Sequence, residues 1–140
     1  MREAERALSV AREWIGKADN DLANAAHTLK LGVGGPTDTI CYHAQQCVEK
    51  YLKGLLVLRR VDFPRIHDLE KLVSLLPAGI SVGITAGEQA TLTEYAIGAR
   101  YPGSGEIPYV EARKAVASAR RARKEIRRAM PRGVLRRRAK

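Results

Sequence analysis

The strongest constraint on the fold is the apolar spacing of residues 4–30. Leu8, Ala11, Trp14, Ile15, Ala18, Leu22, Ala25, Ala26 and Leu29 recur every three or four positions, with charges between them. That period presents one helical face to a core and is incompatible with the alternation of a strand. The stretch LGVGGPTD ends the helix: Gly32, Gly34 and Gly35 supply a C-cap and turn, Pro36 blocks continuation, and Thr37 or Asp38 is expected to cap the next helix. The turn lacks the GK[ST] ending of a phosphate loop.

A second helix is predicted over 38–60. With Tyr42 at 0° and 100° per residue, Ala44, Cys47, Val48, Tyr51, Leu55 and Leu58 fall between about 140° and about 240°, a core stripe. Gln46, Glu49, Lys50, Lys53 and Arg60 lie on the opposite side, expected to be a solvated face, with Glu49 and Lys53 as an i, i+4 ion pair. Gln45 sits at the edge of the stripe, where its amide needs a partner across an interface. Asp68 is the expected N-cap of a short third helix built on Leu69, Leu72, Val73 and Leu76 and ended by Pro77. A fourth helix over 85–99 and a fifth over 107–130, opened by Pro108, complete an all-α, antiparallel, four-to-five-helix up-and-down bundle. The bundle is assigned to residues 1–130, and 131–140 to a basic flexible tail.

Charge is concentrated at one end. Residues 1–112 hold 12 Lys/Arg against 14 Asp/Glu, whereas 113–140 hold 13 against one. Such asymmetry points to a phosphate-bearing or acidic partner for the C-terminal end, contacted through phosphate because aromatics are sparse. No run of about 18 apolar residues is present and MREAERALSV has no apolar signal core, so a cytoplasmic protein without a membrane partner is expected. Cys41 and Cys47 stand six residues apart, about 9 Å along a helix, beyond disulfide reach, and are expected as free thiols. His43 and Cys47 share an i, i+4 spacing but have no sequence-near ligands to complete a metal site, so neither a metal nor a cofactor is expected.

Three segments carry a family resemblance: AREWIGKADNDLANAAHTL, YHAQQCVEKYLKGLLV and PRIHDLEKLVSLL, followed by ARYPG and EARKAVASARRARKEI. Together, over residues 10–130, they resemble the HEPN domain family of higher eukaryotes and prokaryotes. The resemblance implies a helical bundle, usually a homodimer, that binds nucleotides or RNA. It often accompanies a minimal nucleotidyltransferase in a toxin-antitoxin or defence pair. Many members are metal-independent ribonucleases that use an Arg-x(4–6)-His motif at the last helices. Here no histidine follows His67, so the general acid/base of that motif is missing and no catalytic residue is assigned. An endoribonuclease toxin with a rearranged site, using Arg65 with His67, or Arg100, is the alternative.

Candidate phosphate or nucleotide contacts are Gln46, Lys50, Lys53, Arg65, His67, Arg100 and Tyr101. Arg65 would bind phosphate bidentately, His67 would hydrogen-bond it, and the lysines would supply positive field. Arg100 and Tyr101 flank a Gly-rich turn able to clamp a phosphate and stack a base. Gln45 and Glu49 are candidates for a polar interface. For each the structural alternative stands beside the functional one: Asp68 as a cap, His67 as a brace for the turn, the glutamines as helix-to-helix hydrogen bonds.

Overall fold

The computed structural model describes residues 2–98, 102–103 and 105–135. They form six helices and no strand: α1 Glu3–Leu29, α2 Thr37–Leu58, α3 Leu69–Ser74, α4 Ala86–Ile97, α5 Tyr109–Arg128 and α6 Arg132–Leu135. Contacts give their directions. Glu3 meets Arg60 and Asp21 meets Lys50, so α1 and α2 are antiparallel. Thr37 bonds the carbonyl of Ile107 and Arg59 that of Ala129, so α5 runs parallel to α2. Glu88 pairs with Arg121, which turns α4 against α5. The result is an up-down-up-down bundle with α3 inserted between α2 and α4.

Helix α2 is central, packed against α1, α5, α4 and α3. Fourteen of its 22 residues are buried, which overturns the expectation of a solvated polar face: Gln46, Glu49 and Lys53 lie inside the fold. The sequence pattern divides α2 correctly into apolar and polar sides, but the chain leaving α2 folds back over the polar side. Val61, Phe63 and Ile66 pack against the core from that returning segment. Gly54 lets α1 approach closely, since a Cβ there would lie 3.3 Å from Trp14 Cβ. The stripe of α5 is nearly all small, with Ala112, Ala115, Val116, Ala119, Ala122 and Ile126 buried.

Helix ends follow local chemistry, with three departures from expectation. Asp68 caps α3 by accepting from the Lys71 N–H, and Thr85 with Glu88 forms a reciprocal capping box on α4. Neither Thr37 nor Asp38 caps α2: Pro36 occupies the N-cap, and the Thr37 hydroxyl donates instead to the Ile107 carbonyl at 2.6 Å. Helix α2 stops at Leu58 because Arg60 adopts φ 59°. The Val61 N–H then reaches the Leu56 carbonyl and the Arg60 N–H that of Val57, a Schellman closure without glycine. Finally, part of the expected tail is ordered. Residues 132–135 form α6, which buries Val134 and is held to α1 by Arg12 Nη2 donating to the Gly133 carbonyl at 2.8 Å. The remainder of that tail, 136–140, lies outside the described residues.

Gly83 joins the loop before α4 to α5. It has φ 76° and a Cβ there would stand 2.7 Å from the Arg121 carbonyl oxygen, a backbone atom that cannot swing aside. Gly83→Ala is therefore expected to lower the unfolding free energy by about 1–3 kcal/mol, as read from urea denaturation. An unchanged midpoint would show that this loop is not seated on α5 in solution.

Candidate functional site

A buried carboxylate organises the polar side of α2. Glu49 Oε1 accepts from Gln45 Nε2 at 3.1 Å, Gln46 Nε2 at 3.3 Å and His67 Nδ1 at 2.8 Å, while Oε2 accepts from Lys53 Nζ at 2.9 Å. Gln46 Nε2 also donates to Gln45 Oε1 at 2.8 Å, and Gln45 Nε2 to the His67 carbonyl at 3.0 Å. The Lys53 ammonium faces the rings of Trp14 and Phe63, 5.6 Å and 5.9 Å from their centroids. Burial pushes the Glu49 carboxyl up, but hydrogen bonds from Lys53, Gln45 and His67 outweigh it and hold the group below its ordinary value. Among the described residues no buried side-chain polar atom is left without a partner.

The network separates the sequence-predicted site residues. Gln45, Gln46, Glu49 and Lys53 are buried and bonded to one another or to the 61–68 segment. Gln45 and Glu49 thus join α2 to its own chain's return segment. His67 is exposed, with its imidazole oriented by Glu49 from beneath, and Arg65 beside it is exposed with no ion pair to a described residue. Lys50 points to a different cluster, where Asp21 of α1 receives Lys50 Nζ at 2.6 Å and His43 Nδ1 at 2.8 Å. The two lysines expected to act together are held by different carboxylates. Arg100 and Tyr101 lie outside the described residues.

A third cluster was not anticipated from the sequence. The Tyr51 hydroxyl, at the centre of α2, donates to Asp19 of α1, which also receives Arg123 Nε of α5 at 2.9 Å; Arg127 Nη1 reaches the same hydroxyl at 3.3 Å. Burial and the Asp19 hydrogen bond push the Tyr51 phenol well above its usual range, so it acts as a neutral donor. The signal for the inter-helix carboxylates was present at Asp21, which falls in register with the stripe Ala11, Ile15, Ala18 and Ala25. An acid on a buried stripe requires a partner from the facing helix. The free thiols are chemically quiet: burial is the main cause raising both, Cys41 to about 12 and Cys47 further.

Exposed cations form the remaining feature. Arg113, Arg120, Lys124 and Arg128 line one side of α5, and Arg113, Arg120 and Lys124 make no ion pair with a described residue. At 1.5 Å per residue the stripe is about 22 Å long, enough for several successive phosphates.

Removal of the organising carboxylate should be costly. Glu49→Ala leaves the Lys53 ammonium buried and unpaired and is expected to lower stability by about 3–5 kcal/mol, measured by chemical denaturation. The folded Glu49 carboxyl titrates below its ordinary value of 4.5. Its contribution is therefore fully present above that value and is lost as pH falls through the lower folded one. Glu49→Gln should accordingly lose less stability than the wild type between about pH 5 and about pH 3. Parallel acid limbs for the two proteins would refute the assignment.

Comparison with known proteins places this architecture. The HEPN domain family model matches residues 2–129. Among solved structures the chain is similar to TT1696 from Thermus thermophilus, with TM-score 0.71 and 26% identity over 86% of this chain and 98% of that one. It also shares its fold with ST0689, an archaeal HEPN homologue, with TM-score 0.68 and 23% identity over 86% and 98% of the two chains. No curated protein matches significantly. With a family match across nearly its whole length and the helical order to go with it, the chain belongs to the HEPN domain family.

Proposed function

We propose that the protein is a HEPN-type module that binds RNA or nucleotide phosphates, works as a homodimer beside a minimal nucleotidyltransferase in a toxin-antitoxin or defence pair, and lacks ribonuclease activity. The observation that carries the binding reading is the row of cations on α5 that make no ion pair with a described residue, Arg113, Arg120 and Lys124, on a helix whose opposite side is committed to the core. Four more cations, Arg136, Arg137, Arg138 and Lys140, follow in the sequence. Arg65 and His67 extend the set of exposed donors, with Arg100 and Tyr101 as further contacts. Lys50, held by Asp21, adds to the positive field, whereas Gln46 and Lys53 support the site from beneath. Gln45 and Glu49, the polar-interface candidates, fix the segment that presents His67.

Support for the dimer comes from apolar side chains left at one end of the bundle. Leu31, Val33, Ile97 and Val110 are more than half exposed. The turn after α1 and the start of α5, which carry three of them, are tied by the Tyr109 hydroxyl donating to the Leu29 carbonyl. A second copy covering this end would remove that surface from water. The reading without ribonuclease activity rests on the sequence, in which no histidine follows His67 to complete the last-helix motif.

One observation favours the ribonuclease alternative. The buried Glu49 carboxylate orients an exposed His67 imidazole next to the free guanidinium of Arg65, an arrangement suited to proton transfer beside a phosphate. The two readings separate cleanly. The binding module leaves structured RNA intact in EDTA, whereas the enzyme cleaves it and His67→Ala stops the cleavage.

Binding of a short single-stranded RNA, followed by fluorescence anisotropy, should weaken steeply with salt and show little base preference. Arg120→Glu combined with Lys124→Glu should weaken it by about tenfold or more and reduce the salt slope by about 1–2. Salt-independent binding, or no binding by the wild type, would remove the polyanion reading.

A further inference from the structure

Gly16 has no evident purpose within its own helix. It lies in the interior of α1, where glycine is a poor helix former. Its φ is not positive, and a Cβ built there meets no atom within 4 Å. Neither backbone geometry nor close packing asks for it. Gly16 lines a groove of about 510 Å³ between α1, α5 and α6, so a side chain added here would take up space at that wall. That volume lies within the range of small-ligand sites, about 300–1,000 Å³.

Around the groove stand Arg12, Arg123 and Arg127, with Asp19 and the apolar Val134. Each guanidinium is held by a contact to the fold: Arg12 Nη2 by the Gly133 carbonyl, Arg123 Nε by Asp19 and Arg127 Nη1 by the Tyr51 hydroxyl. A guanidinium carries five N–H donors, so each keeps further donors after that contact. Asp19 is occupied by Arg123 and Tyr51, and the remaining acid on the lining, Glu13, is exposed. Planar forks fixed by the fold and facing a shared volume are suited to bidentate recognition of a compact anion. A terminal phosphate monoester, with about −1.5 to −2 charge and three acceptor oxygens, satisfies more of those donors than an internal diester does.

We propose that this groove is a binding site for a terminal phosphomonoester, carried by a nucleotide or by the end of an RNA strand, and that Gly16 keeps it open. The inference takes the class of anion from the phosphate-binding reading but uses a site separate from the exposed stripe of α5.

The test uses the full chain. Titration calorimetry with adenosine 5′-monophosphate should show binding and adenosine should show none. Gly16→Leu should weaken the nucleotide by about tenfold or more while the unfolding temperature holds or rises, because the substitution removes a helical glycine. Arg127→Lys, which keeps the charge and loses the fork, should also weaken it. Anisotropy with 5′-phosphorylated and 5′-hydroxyl forms of one RNA then identifies the source. A preference for the phosphorylated strand that Gly16→Leu abolishes assigns the strand end. Equal strand binding with retained nucleotide binding assigns the free nucleotide. Absence of nucleotide binding, or equal binding by wild type and Gly16→Leu, overturns the site. Loss of all strand binding while the nucleotide still binds leaves the groove standing and removes the polyanion reading instead.

Discussion

The architecture depends on compensating one buried charge. Glu49 is 3% exposed and Lys53 7%, and removing such a pair from water costs several kcal/mol per ion before any interaction is counted. Direct attraction between the two does not settle that cost, because both need their remaining donors and acceptors filled. Gln45, Gln46 and His67 fill the carboxylate, and the faces of Trp14 and Phe63 receive the ammonium. The partners come from α1, α2 and the 61–68 segment, so satisfying the charge specifies how three parts of the chain are placed. An apolar replacement could match the stability but would not select one register for the returning segment, since hydrophobic contact is non-directional.

This explains why an amphipathic reading of α2 found the correct residues and misjudged their surroundings. Angular position distinguishes apolar from polar sides but does not say what lies opposite. Burying Gln46, Glu49 and Lys53 requires a cover, and the cover is a non-helical stretch with only Val61, Phe63 and Ile66 to mark it. Such a stretch has no periodicity to detect. The Glu49–Lys53 spacing was read as a surface pair because that is what i, i+4 charges usually form. The informative sign was QQxxE at the head of a leucine-rich run in the same helix, which brings three hydrogen-bonding side chains close together beside a strongly apolar segment.

Other features were legible in proportion to how local their causes are. Asp68 and the order of the main helices depend on a few neighbouring residues and were read directly. The end of α2 was not, because the left-handed position is taken by Arg60 without the usual glycine. Helix α6 was missed for a different reason. Its four residues would not form a helix alone, and they do so through Val134 packing and the Arg12 contact, both supplied by distant parts of the chain. The Tyr51–Asp19–Arg123 cluster likewise depends on three helices meeting, and only Asp21, an acid in register with a buried stripe, signalled that α1 sends carboxylates inward.

Arginines of α5 divide by helical position into two roles that a composition count merges. Arg123 and Arg127 are half-buried and point toward α1 and α2, where Asp19 and the Tyr51 hydroxyl fix them. Arg113, Arg120 and Lys124 lie on the outward side and make no ion pair with a described residue. The inward pair is ordered by the fold before any ligand arrives, so an anion that meets it loses little further side-chain entropy and gains a defined geometry. The outward row is exposed and has no such contact with a described residue, which favours contacts that are tolerant of sequence and sensitive to salt. One helix thereby presents a tethered set of cations to the groove and an untethered set to solvent, and the alanine stripe beside the inward arginines lets α5 lie close enough to α2 for them to reach their partners.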